Sequence, residues 1–545
     1  MSKGLDLLLV NPSTNEEVYG VVAKEAALEP PFLAALAAGY VRSRGYSVSL
    51  LDANVEGLDQ RTTAEIIKDM NPKLVAIVAQ GHQPSASSQL MGAVGKLCQE
   101  IKGISNTPIL LTGNHPSSLP ERTLREESCD FVARGEMYEV LTGLVASNLK
   151  EENLSKVPGL CYLKEGKLMI NQAAQLIEDL DKDLSGVAWD LLPSFSKYRT
   201  HNWHSFEDID KRSPFGSLYT SLGCPFKCSF CMINAEFKSS IADTDHKNDP
   251  RLNSDSELER LSALDDVDPV IRYWNPDNVI KNIEYMVKNG VRNIKIIDEM
   301  FVLNRKHVAG IADRIIERNL GSHLNIWAYA RVDTVKDKRL LEKLKKAGFN
   351  WLCLGIESAN SNVRYGADKS FGNEDIFKHV RQVEDVGINV LGNYMVGLKG
   401  DTLESMKQTF DMAKELMTSW FNVYATMAYP GAPDYTWARK MGFLLPGDPG
   451  VQGGWTAYSH HSFYSFPLPT AALSSAEVLR FRDKFYHEMI VHPEYHNLLR
   501  RRFGQEEGQK VVDHLLEKKP IRRLYSDTDP LKEIKDQQGR IIAYS

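Results

Sequence analysis

Short apolar runs alternate with stretches of helical spacing through the first 145 residues. The apolar runs predict strands at Leu7–Val10, Val48–Leu51, Leu74–Val78, Pro108–Leu111 and Phe131–Ala133. Apolar residues recurring every three or four positions predict helices at 32–44, 62–70 and 89–102. Continuous apolar strands separated by helices are typical of a parallel sheet covered on both faces. We therefore predict an α/β fold in which residues 1–145 form a doubly wound, Rossmann-like parallel sheet.

A second series of strand and helix patterns occupies residues 216 to about 435. Its predicted strands are Leu218–Leu222, Ile294–Ile297, Leu324–Ala328, Trp351–Ile356, Val390–Val396 and Val423–Met427. Its predicted helices are 276–289, 304–318, 337–347, 374–386 and 402–416. Gly290, Gly348 and Gly387 follow three of these helices, where a left-handed residue commonly ends a helix. Six strand–helix units predict a partial (β/α)6, TIM-like barrel with its chemistry at the carboxyl ends of the strands.

The remaining parts of the chain carry weaker patterns. Residues 146–215 are predicted to be a connector, because their short elements are bounded by turn residues. The polar piece 242–268 interrupts the second series and is predicted to be a flexible insertion near the active-site mouth. Residues 436–545 are predicted to be a mainly helical domain that caps the barrel. Its helices are predicted at 474–490 and 506–517.

Composition narrows the range of functions. Hydrophobic residues make up 43% and charged residues 25% of the 545 residues, which is ordinary for a globular protein. The net charge is −6, from 65 basic and 71 acidic residues, so a nucleic-acid partner has no electrostatic support. The first apolar run, Leu7 to Val10, is too short for a signal peptide or a membrane span. We expect a cytoplasmic protein with no membrane partner.

Three cysteines lie close together in the chain, at Cys224, Cys228 and Cys231. Three thiolates on one tight loop can bind three irons of a four-iron four-sulfur cluster and leave the fourth iron open. Structural zinc sites usually have four ligands, and no second cysteine pair follows here. A chance cluster of buried thiols is the weaker alternative, because three of the seven cysteines fall within eight residues. The other cysteines, predicted to be buried structural thiols, are Cys98, Cys129, Cys161 and Cys353.

The spacing Cys-x3-Cys-x2-Cys, with Phe230 just before the last cysteine, resembles the radical S-adenosylmethionine (SAM) superfamily. In that family the amino and carboxylate groups of SAM chelate the open iron. One electron from the cluster then cleaves SAM to methionine and a 5′-deoxyadenosyl radical, which removes a hydrogen atom from an unactivated position. The resemblance therefore implies a one-electron donor such as flavodoxin or ferredoxin.

The same resemblance implies which residues contact SAM. An acidic residue after the second barrel strand holds the amino group, which implies Asp298 or Glu299. Arg331, after the third strand, is implied to pair with the carboxylate. Glu357, with Ser358 after it, is implied to lie near the ribose, and Gly397 beside the adenine. Phe230 is implied as a further cofactor contact. Lys399 replaces the proline that is usual in the next loop. Taken singly, each acid or arginine could instead form a surface ion pair.

Residues 1–145 resemble the cobalamin-binding domain that precedes the cluster domain in one large class of radical SAM enzymes. The resemblance rests on Leu8-Leu9-Val10-Asn11-Pro12, Pro30-Pro31, residues 45–48 with Asp52, and Gly135-Glu136. It implies cobalamin at the carboxyl edge of the sheet. The implied contacts are Asn11, Gln80, Gly81, His82, Ser85, Gly113, Asn114, Gly135 and Glu136. Ordinary loops between strands and helices are the alternative.

One departure from other cobalamin domains concerns the cobalt ligand. Domains of the methionine-synthase type place a histidine on cobalt from the string Asp-x-His-x-x-Gly. The similar string here runs from Asp52 to Gly57 and has Asn54 in the histidine position. We therefore expect no cobalt ligand from this motif. His82 and His115 remain possible corrin contacts, and for each of them a solvated loop residue is the alternative.

These features together predict an oxygen-sensitive enzyme that uses a four-iron four-sulfur cluster, SAM and cobalamin. The resemblance implies methylation of an unactivated carbon, or of a phosphinate phosphorus, in a small metabolite. Because the cofactors carry the difficult chemistry, no protein general base is named.

Three other functions compete with methylation. Cyclisation or rearrangement with the same cofactors would need no methyl transfer. A tRNA methylthiolating enzyme would need a second three-cysteine cluster near the N-terminus and a basic tail, whereas the net charge is −6. A non-enzymatic cobalamin or SAM sensor would have no use for the polar residues at the strand ends.

Overall fold

The structure is a computed structural model that describes residues 4–81, 84–237, 249–254, 256–369, 371–516, 522–524, 533–535 and 541–544. Its N-terminal part is a seven-stranded sheet in the order β2-β1-β3-β4-β5-β6-β7. The strands are β1 (Leu7–Asn11), β2 (Val48–Asp52), β3 (Leu74–Val78), β4 (Ile109–Thr112), β5 (Phe131–Ala133), β6 (Leu160–Lys164) and β7 (Lys167–Ile170). β1 to β5 are parallel, which confirms the predicted doubly wound sheet. β6 and β7 come from the predicted connector and extend the sheet in antiparallel fashion.

Helices cover both faces of this sheet, because its strands are apolar on both sides. Leu7 to Val10 have no accessible surface at all. The helices are α1 (Asn15–Tyr19), α2 (Phe32–Ser43), α3 (Gln60–Met70), α4 (Met91–Ile104), α5 (Asn114–Ser118), α6 (Pro120–Glu126), α7 (Met137–Ala146), α8 (Glu151–Leu154) and α9 (Leu180–Asp183).

The second part of the chain contains a six-stranded parallel sheet. The strands here are β8 (Phe215–Leu218), β9 (Ser221–Gly223), β10 (Ile271–Tyr273), β11 (Asn293–Ile296), β12 (Asn325–Arg331), β13 (Phe349–Glu357), β14 (Asn389–Val396) and β15 (Trp420–Ala425). β9 and β10 pair with each other, and the other six lie in the order β15-β14-β13-β12-β11-β8. Parallel strands in chain order are what a partial barrel requires. The barrel's curvature and the domain boundaries stay predictions.

The first barrel strand ends earlier than predicted. We expected it to run from Leu218 to Leu222, but β8 ends at Leu218. Thr220 and Ser221 instead donate hydrogen bonds to the carboxylate of Asp298, at 2.6 Å and 2.5 Å from their hydroxyls. These bonds turn the chain out of the sheet, so that β9 pairs antiparallel with β10 and leads into the cysteine loop.

All the helices predicted for the second half are present at the predicted places, and further helices that were not predicted accompany them. They are α10 (Asn234–Phe237), α11 (Glu257–Asp266), α12 (Pro276–Lys288), α13 (Arg305–Glu317), α14 (Lys338–Lys346), α15 (Ser361–Gly366), α16 (Asn373–Asp385), α17 (Leu403–Leu416), α18 (Pro433–Lys440), α19 (Ser475–Ile490), α20 (Pro493–Phe503) and α21 (Gln505–Leu516). Two short strands, β16 (Glu533–Lys535) and β17 (Ile541–Tyr544), follow the helical C-terminal region. Among the described helices, none combines the length and apolar character needed to span a membrane.

Part of the polar insertion 242–268 is structured. α11 lies within it, and Arg260 of this helix donates to Glu121 of α6 at 2.9 Å. The arginine side chain is 6% exposed and that of Glu121 is 25% exposed, so the ion pair is partly shielded from solvent. The insertion is therefore tied to the N-terminal part of the chain, which corrects the expectation of a wholly flexible piece. Residues 238–248 and 255 lie outside the described residues.

Candidate active site

The cysteine loop connects β9 to α10. Cys224 is buried, Cys228 and Cys231 are half-buried, and all three thiols are free of disulfides. The Cys231 amide donates to the Cys228 carbonyl at 3.1 Å, and Asn234 Nδ2 donates to the Phe226 carbonyl at 2.8 Å. Burial raises the pKa of Cys224 to about 12, and the thiols raise one another's pKa values, which places them close together. Coordination of a metal removes such thiol protons outright.

This set of donors fits an iron–sulfur cluster better than a single ion. In the described part of the chain, no three His, Cys, Asp or Glu side chains are grouped so that they could hold one metal ion. In a four-iron cluster each thiolate binds a different iron, so the three sulfurs need not converge on one point. Burial raises the pKa of Cys228, whereas the positive charges of Lys369 and Arg331 act in the opposite direction. Two cations beside the loop would stabilise an anionic cluster.

The two acids after β11 have different environments. Asp298 is 2% exposed, and its carboxylate accepts hydrogen bonds from Thr220 and Ser221. Glu299 is half-buried, and burial raises its pKa to about 7. Its Oε1 is buried and has no hydrogen-bond partner among the residues that the structure describes. Its charge raises the pKa of the neighbouring Cys224. Glu299 thus lies beside the cysteine loop with one unpaired carboxylate oxygen. The carboxylate of Asp298, in contrast, is occupied by its hydrogen bonds to Thr220 and Ser221.

Arg331 ends β12 beside the same loop. Its guanidinium donates to both oxygens of Asp333, at 3.0 Å and 3.1 Å, and lies 4.2 Å from the centre of the Phe226 ring. The side chain is 5% exposed, and within the described ranges its buried Nη1 has no hydrogen-bond partner. The arginine is therefore oriented by Asp333 and keeps one donor free for a ligand.

Glu357, at the end of β13, forms a buried ion pair with Lys369. Glu357 Oε1 accepts from Lys369 Nζ at 2.7 Å, and both side chains are 7% exposed. A Cβ on Gly355 would lie 2.6 Å from that oxygen, so the pair needs a glycine beneath it. Lys369 Nζ lies 6.0 Å from the centre of the Phe230 ring. Lys369 was not predicted from the sequence, because no motif spacing marks it.

Two other predicted SAM contacts have partners within the protein. The hydroxyl of Ser358 lies 3.2 Å from Thr409 Oγ1 and accepts from the Asn360 amide. Gly397 has a φ of +75°, and a Cβ there would lie 2.4 Å from Val478 of α19. Local contacts are therefore sufficient to account for a serine at 358 and a glycine at 397. Their contact with SAM stays a prediction.

The loop after β14 is held in place although Lys399 replaces the usual proline. The carboxylate of Asp401 accepts from the Leu398 amide at 3.0 Å and from the Ser405 hydroxyl at 2.5 Å. Lys399 Nζ lies 4.5 Å from the centre of the Trp437 ring. Hydrogen bonds thus supply the rigidity that proline would give.

A cleft lies at the carboxyl edge of the N-terminal sheet, facing the barrel. Its lining comes from the loops after β1 to β3, the start of α2 and two barrel residues. These residues are Asn11, Thr14, Glu29, Pro30, Pro31, Phe32, Leu33, Ala34, Asn54, Val78, Gln80, Gly81, Tyr219 and Ile297. Buried oxygens of Gln80 and Thr112 at this edge have no hydrogen-bond partner in the part of the chain that the structure describes. Unpaired polar atoms beside a cleft at a strand edge fit a bulky polar ligand such as cobalamin.

The residues predicted to contact cobalamin at this edge differ in their burial and in whether their side chains already have partners within the protein. Asn11 donates to Asp52 at 2.7 Å. Glu136 is bound by Arg272, whose Nη2 lies 2.5 Å from Glu136 Oε1. Asn114 is completely buried, and Gly81 lies on the cleft. Glu136 therefore stabilises the junction with β10.

Two of the predicted glycines have left-handed φ values. Gly113 has a φ of +133°, and a Cβ there would lie 2.5 Å from the Ala79 carbonyl oxygen. Gly135 has a φ of +82°. Both loops therefore need glycine for backbone reasons.

Gln80 connects the sheet edge to the cysteine loop. Its Nε2 donates to Oε2 of Glu236, at 3.1 Å. Glu236 lies in α10, directly after the loop, and is 3% exposed. Burial, together with the charge of Glu136, raises the pKa of Glu236 to about 8, so the carboxyl is protonated at neutral pH. This contact brings the proposed cobalamin edge next to the cysteines, and sequence reasoning missed it.

Neither candidate histidine is shown to face the cleft. His115 is 1% exposed, its Nδ1 lies 3.1 Å from Ser88 Oγ, and its ring lies 4.4 Å from that of Trp455. Burial lowers its pKa to about 3. The imidazole is thus enclosed by protein. His82 and the side chain of Ser85 lie outside the described residues.

Both parts of the chain are similar to known proteins. The radical SAM superfamily matches residues 218–413, and the B12 binding domain matches residues 19–145. The chain is 28% identical over 446 residues to "Uncharacterized methyltransferase PH0819" of Pyrococcus horikoshii, covering 81% of this chain and 85% of that protein. It is 25% identical over 467 residues to the anaerobic magnesium-protoporphyrin IX monomethyl ester cyclase of Cereibacter sphaeroides, covering 84% of this chain and 66% of the cyclase.

A solved structure shows the same fold. The radical SAM methyltransferase TsrM from Kitasatospora setae, with cobalamin and a [4Fe-4S] cluster bound, superposes with a TM-score of 0.65 at 17% identity. The match covers 94% of this chain and 100% of that one. With both domains matched, the chain belongs to the cobalamin-dependent radical SAM enzymes, which use a four-iron four-sulfur cluster, SAM and cobalamin.

Proposed function

We propose that this enzyme transfers a methyl group to an unactivated carbon, or a phosphinate phosphorus, of a small metabolite. The hydrogen bond between Gln80 and Glu236 is the observation that supports this most strongly. It joins the sheet edge proposed for cobalamin to the helix that follows the cysteine loop. A methyl donor and a substrate radical must meet within about 3–3.5 Å to react, so the two cofactor sites must adjoin.

The residues of the site have distinct proposed roles. Cys224, Cys228 and Cys231 bind the cluster. Glu299 accepts from the SAM amino group through its free oxygen, and Arg331 donates its free Nη1 to the SAM carboxylate. When bound, the cluster and SAM supply a 5′-deoxyadenosyl radical, and cobalamin supplies the methyl group.

The buried pair of Glu357 and Lys369 has a positioning role in this proposal. Glu357 accepts from the ribose hydroxyls of SAM while Lys369 holds the carboxylate in place and compensates its charge. Phe230 packs in an apolar group with Met395 and Leu398, on the side proposed for the adenine. These contacts exclude water from the place where the radical forms.

Cyclisation without methyl transfer is the second candidate. It is favoured by the similarity to the magnesium-protoporphyrin IX monomethyl ester cyclase, which covers 84% of this chain. The cofactor sites proposed here would serve either reaction. The two differ in whether a methyl group reaches the product.

Labelled SAM separates the candidates. The holoenzyme, reduced by flavodoxin or ferredoxin as the proposed cytoplasmic electron donor, is incubated with a metabolite extract and SAM carrying a CD3 group. We expect a small-molecule product in which one hydrogen is replaced by CD3, detected by mass spectrometry. An unlabelled product that has lost hydrogen atoms would show that the enzyme catalyses cyclisation and not methylation. Label recovered in RNA together with sulfur would indicate methylthiolation.

A further inference from the structure

Tyr219 lies on the cleft at the edge of the N-terminal sheet, although it belongs to the barrel. It directly follows the last residue of β8 and precedes the short strand that leads to the cysteine loop. The lining of the cleft includes it together with Ile297 from the barrel and Phe32 and Gln80 from the N-terminal part. No motif spacing marks Tyr219, so sequence reasoning missed it. The residue is thus shared by the barrel and the cleft proposed for cobalamin.

Hydrogen bonds fix the backbone on both sides of Tyr219. The carbonyl of Leu218 accepts from the Ile297 amide at 2.9 Å. The amide of Thr220 donates to Oδ1 of Asp298 at 2.6 Å. Because both flanking residues are held, the direction in which the Tyr219 side chain leaves the backbone is set before a ligand binds.

The ring of Tyr219 packs against the start of α2. Its centre lies 5.9 Å from that of the Phe32 ring, with 57° between the two ring planes. Tyr219 is 5% exposed and Phe32 is 4% exposed. Packing of the ring therefore adds to the backbone hydrogen bonds in holding the phenol in one place.

The fold leaves the hydroxyl of this side chain unused. The oxygen is buried, and among the residues that the structure describes it has no hydrogen-bond partner. Leaving a buried hydroxyl unpaired is unfavourable, so nearly all such groups in proteins have a partner. A ligand in the cleft would supply the partner that Tyr219 lacks.

The hydroxyl of Tyr219 is suited to donate to a neutral group. Burial raises its pKa well above the ordinary value, and the charges of nearby acids, led by Glu299, raise it further, so the phenol stays protonated at neutral pH. Glu29, an acid on the cleft itself, already accepts from Lys295 at 2.9 Å and 3.1 Å. The acids would repel an anionic acceptor, and this lysine is already paired. A neutral carbonyl oxygen therefore fits the hydroxyl better than a carboxylate or a phosphate.

Gln80 offers the complementary group from the sheet edge. Its Nε2 donates to Glu236, whereas its Oε1 is buried and has no partner within the described ranges. The cleft thus has one unpaired donor from the barrel and one unpaired acceptor from the sheet. A primary carboxamide carries both a carbonyl acceptor and an NH2 donor, so it can satisfy groups of both kinds.

We propose that Tyr219 binds cobalamin at its corrin ring, by donating its phenolic hydrogen to the carbonyl of a carboxamide side chain. The rim of the corrin carries several primary carboxamides, whereas the nucleotide tail carries an anionic phosphate. This inference rests on the proposed function, because it takes the cleft as the cobalamin site. It adds a residue of the barrel to the residues that hold the cofactor, and it names the part of the cofactor that this residue contacts.

Equilibrium dialysis of the full-length protein, produced without cobalamin and with its cluster reconstituted, tests this contact. The probes are hydroxocobalamin and diaquacobinamide, which keeps the corrin carboxamides but lacks the nucleotide tail. Tyr219→Phe removes only the hydroxyl, and we expect it to weaken binding of both probes by the same factor, about three- to tenfold. Tyr394→Phe, at a fully buried tyrosine of β14 that does not line the cleft, is the matched control and should leave both affinities unchanged.

Unchanged affinity of Tyr219→Phe for both probes would overturn the inference. A loss confined to hydroxocobalamin would overturn it too, because the contact would then be to the nucleotide tail. Weaker SAM binding with unchanged affinity for both probes would assign the hydroxyl to SAM instead. Lower iron content or thermal stability in Tyr219→Phe would give the hydroxyl a structural role and equally overturn the inference. Wild-type protein that binds neither probe would refute the cobalamin site itself, and with it the proposed function.

Discussion

Replacing Cys224, Cys228 and Cys231 together with alanine is expected to abolish both the iron–sulfur cluster and SAM cleavage. The three thiols are free of disulfides, share one loop and influence one another's pKa values, so we expect them to act as one set of ligands. Anaerobic reconstitution should give about four irons per wild-type chain and close to none in the triple variant. Iron analysis and the visible absorbance of the cluster measure this directly.

The control for this experiment is Cys129→Ser, at a half-buried cysteine of the N-terminal part. It should keep about four irons per chain and full SAM cleavage. A triple variant that still cleaves SAM would rule out these cysteines as the cluster ligands.

Glu299→Gln is expected to weaken SAM binding by about ten- to a hundredfold. The free oxygen of Glu299 lies beside the cysteine loop, and a hydrogen bond to a charged group contributes about 1.5–3 kcal/mol. Glutamine keeps the shape and removes the charge, so iron content and thermal unfolding should stay near wild type. Equilibrium binding of SAM to the reconstituted enzyme measures the effect.

Asp298→Asn is the matched control, because it makes the same chemical change one residue away. Asp298 accepts hydrogen bonds from Thr220 and Ser221, and the amide nitrogen of asparagine cannot accept. We expect a loss of about 1–3 kcal/mol in stability with SAM affinity nearly unchanged. Weak SAM binding in Asp298→Asn together with normal SAM binding in Glu299→Gln would show that Asp298, and not Glu299, binds SAM.

The elements that could be predicted are those marked by residues close together in the sequence. The five parallel N-terminal strands are continuous apolar runs, and the spacing of the cysteines marks their loop without any tertiary information. Gly290, Gly348 and Gly387 all have φ values near +85°, as helix ends with glycine require.

The parts that it did not predict depend on contacts made in space. Gln80 and Glu236 are 156 positions apart, and only folding brings them together. Lys369 pairs with Glu357 across 12 positions and an intervening short helix, so no motif reveals it. Asp298 and Glu299 are adjacent acids, and their roles separate only because the chain after β8 turns towards one of them.

Cobalamin, bound at the carboxyl edge of the N-terminal sheet, is proposed to lie next to the cluster. Electron paramagnetic resonance tests this placement most directly, on holoenzyme that holds cob(II)alamin and the reduced cluster in one sample. We expect about one cobalamin per chain and two signals broadened by magnetic coupling, because the hydrogen bond between Gln80 and Glu236 joins the two proposed sites. Two sharp, independent signals, or a protein that retains no cobalamin while it still cleaves SAM, would contradict this placement.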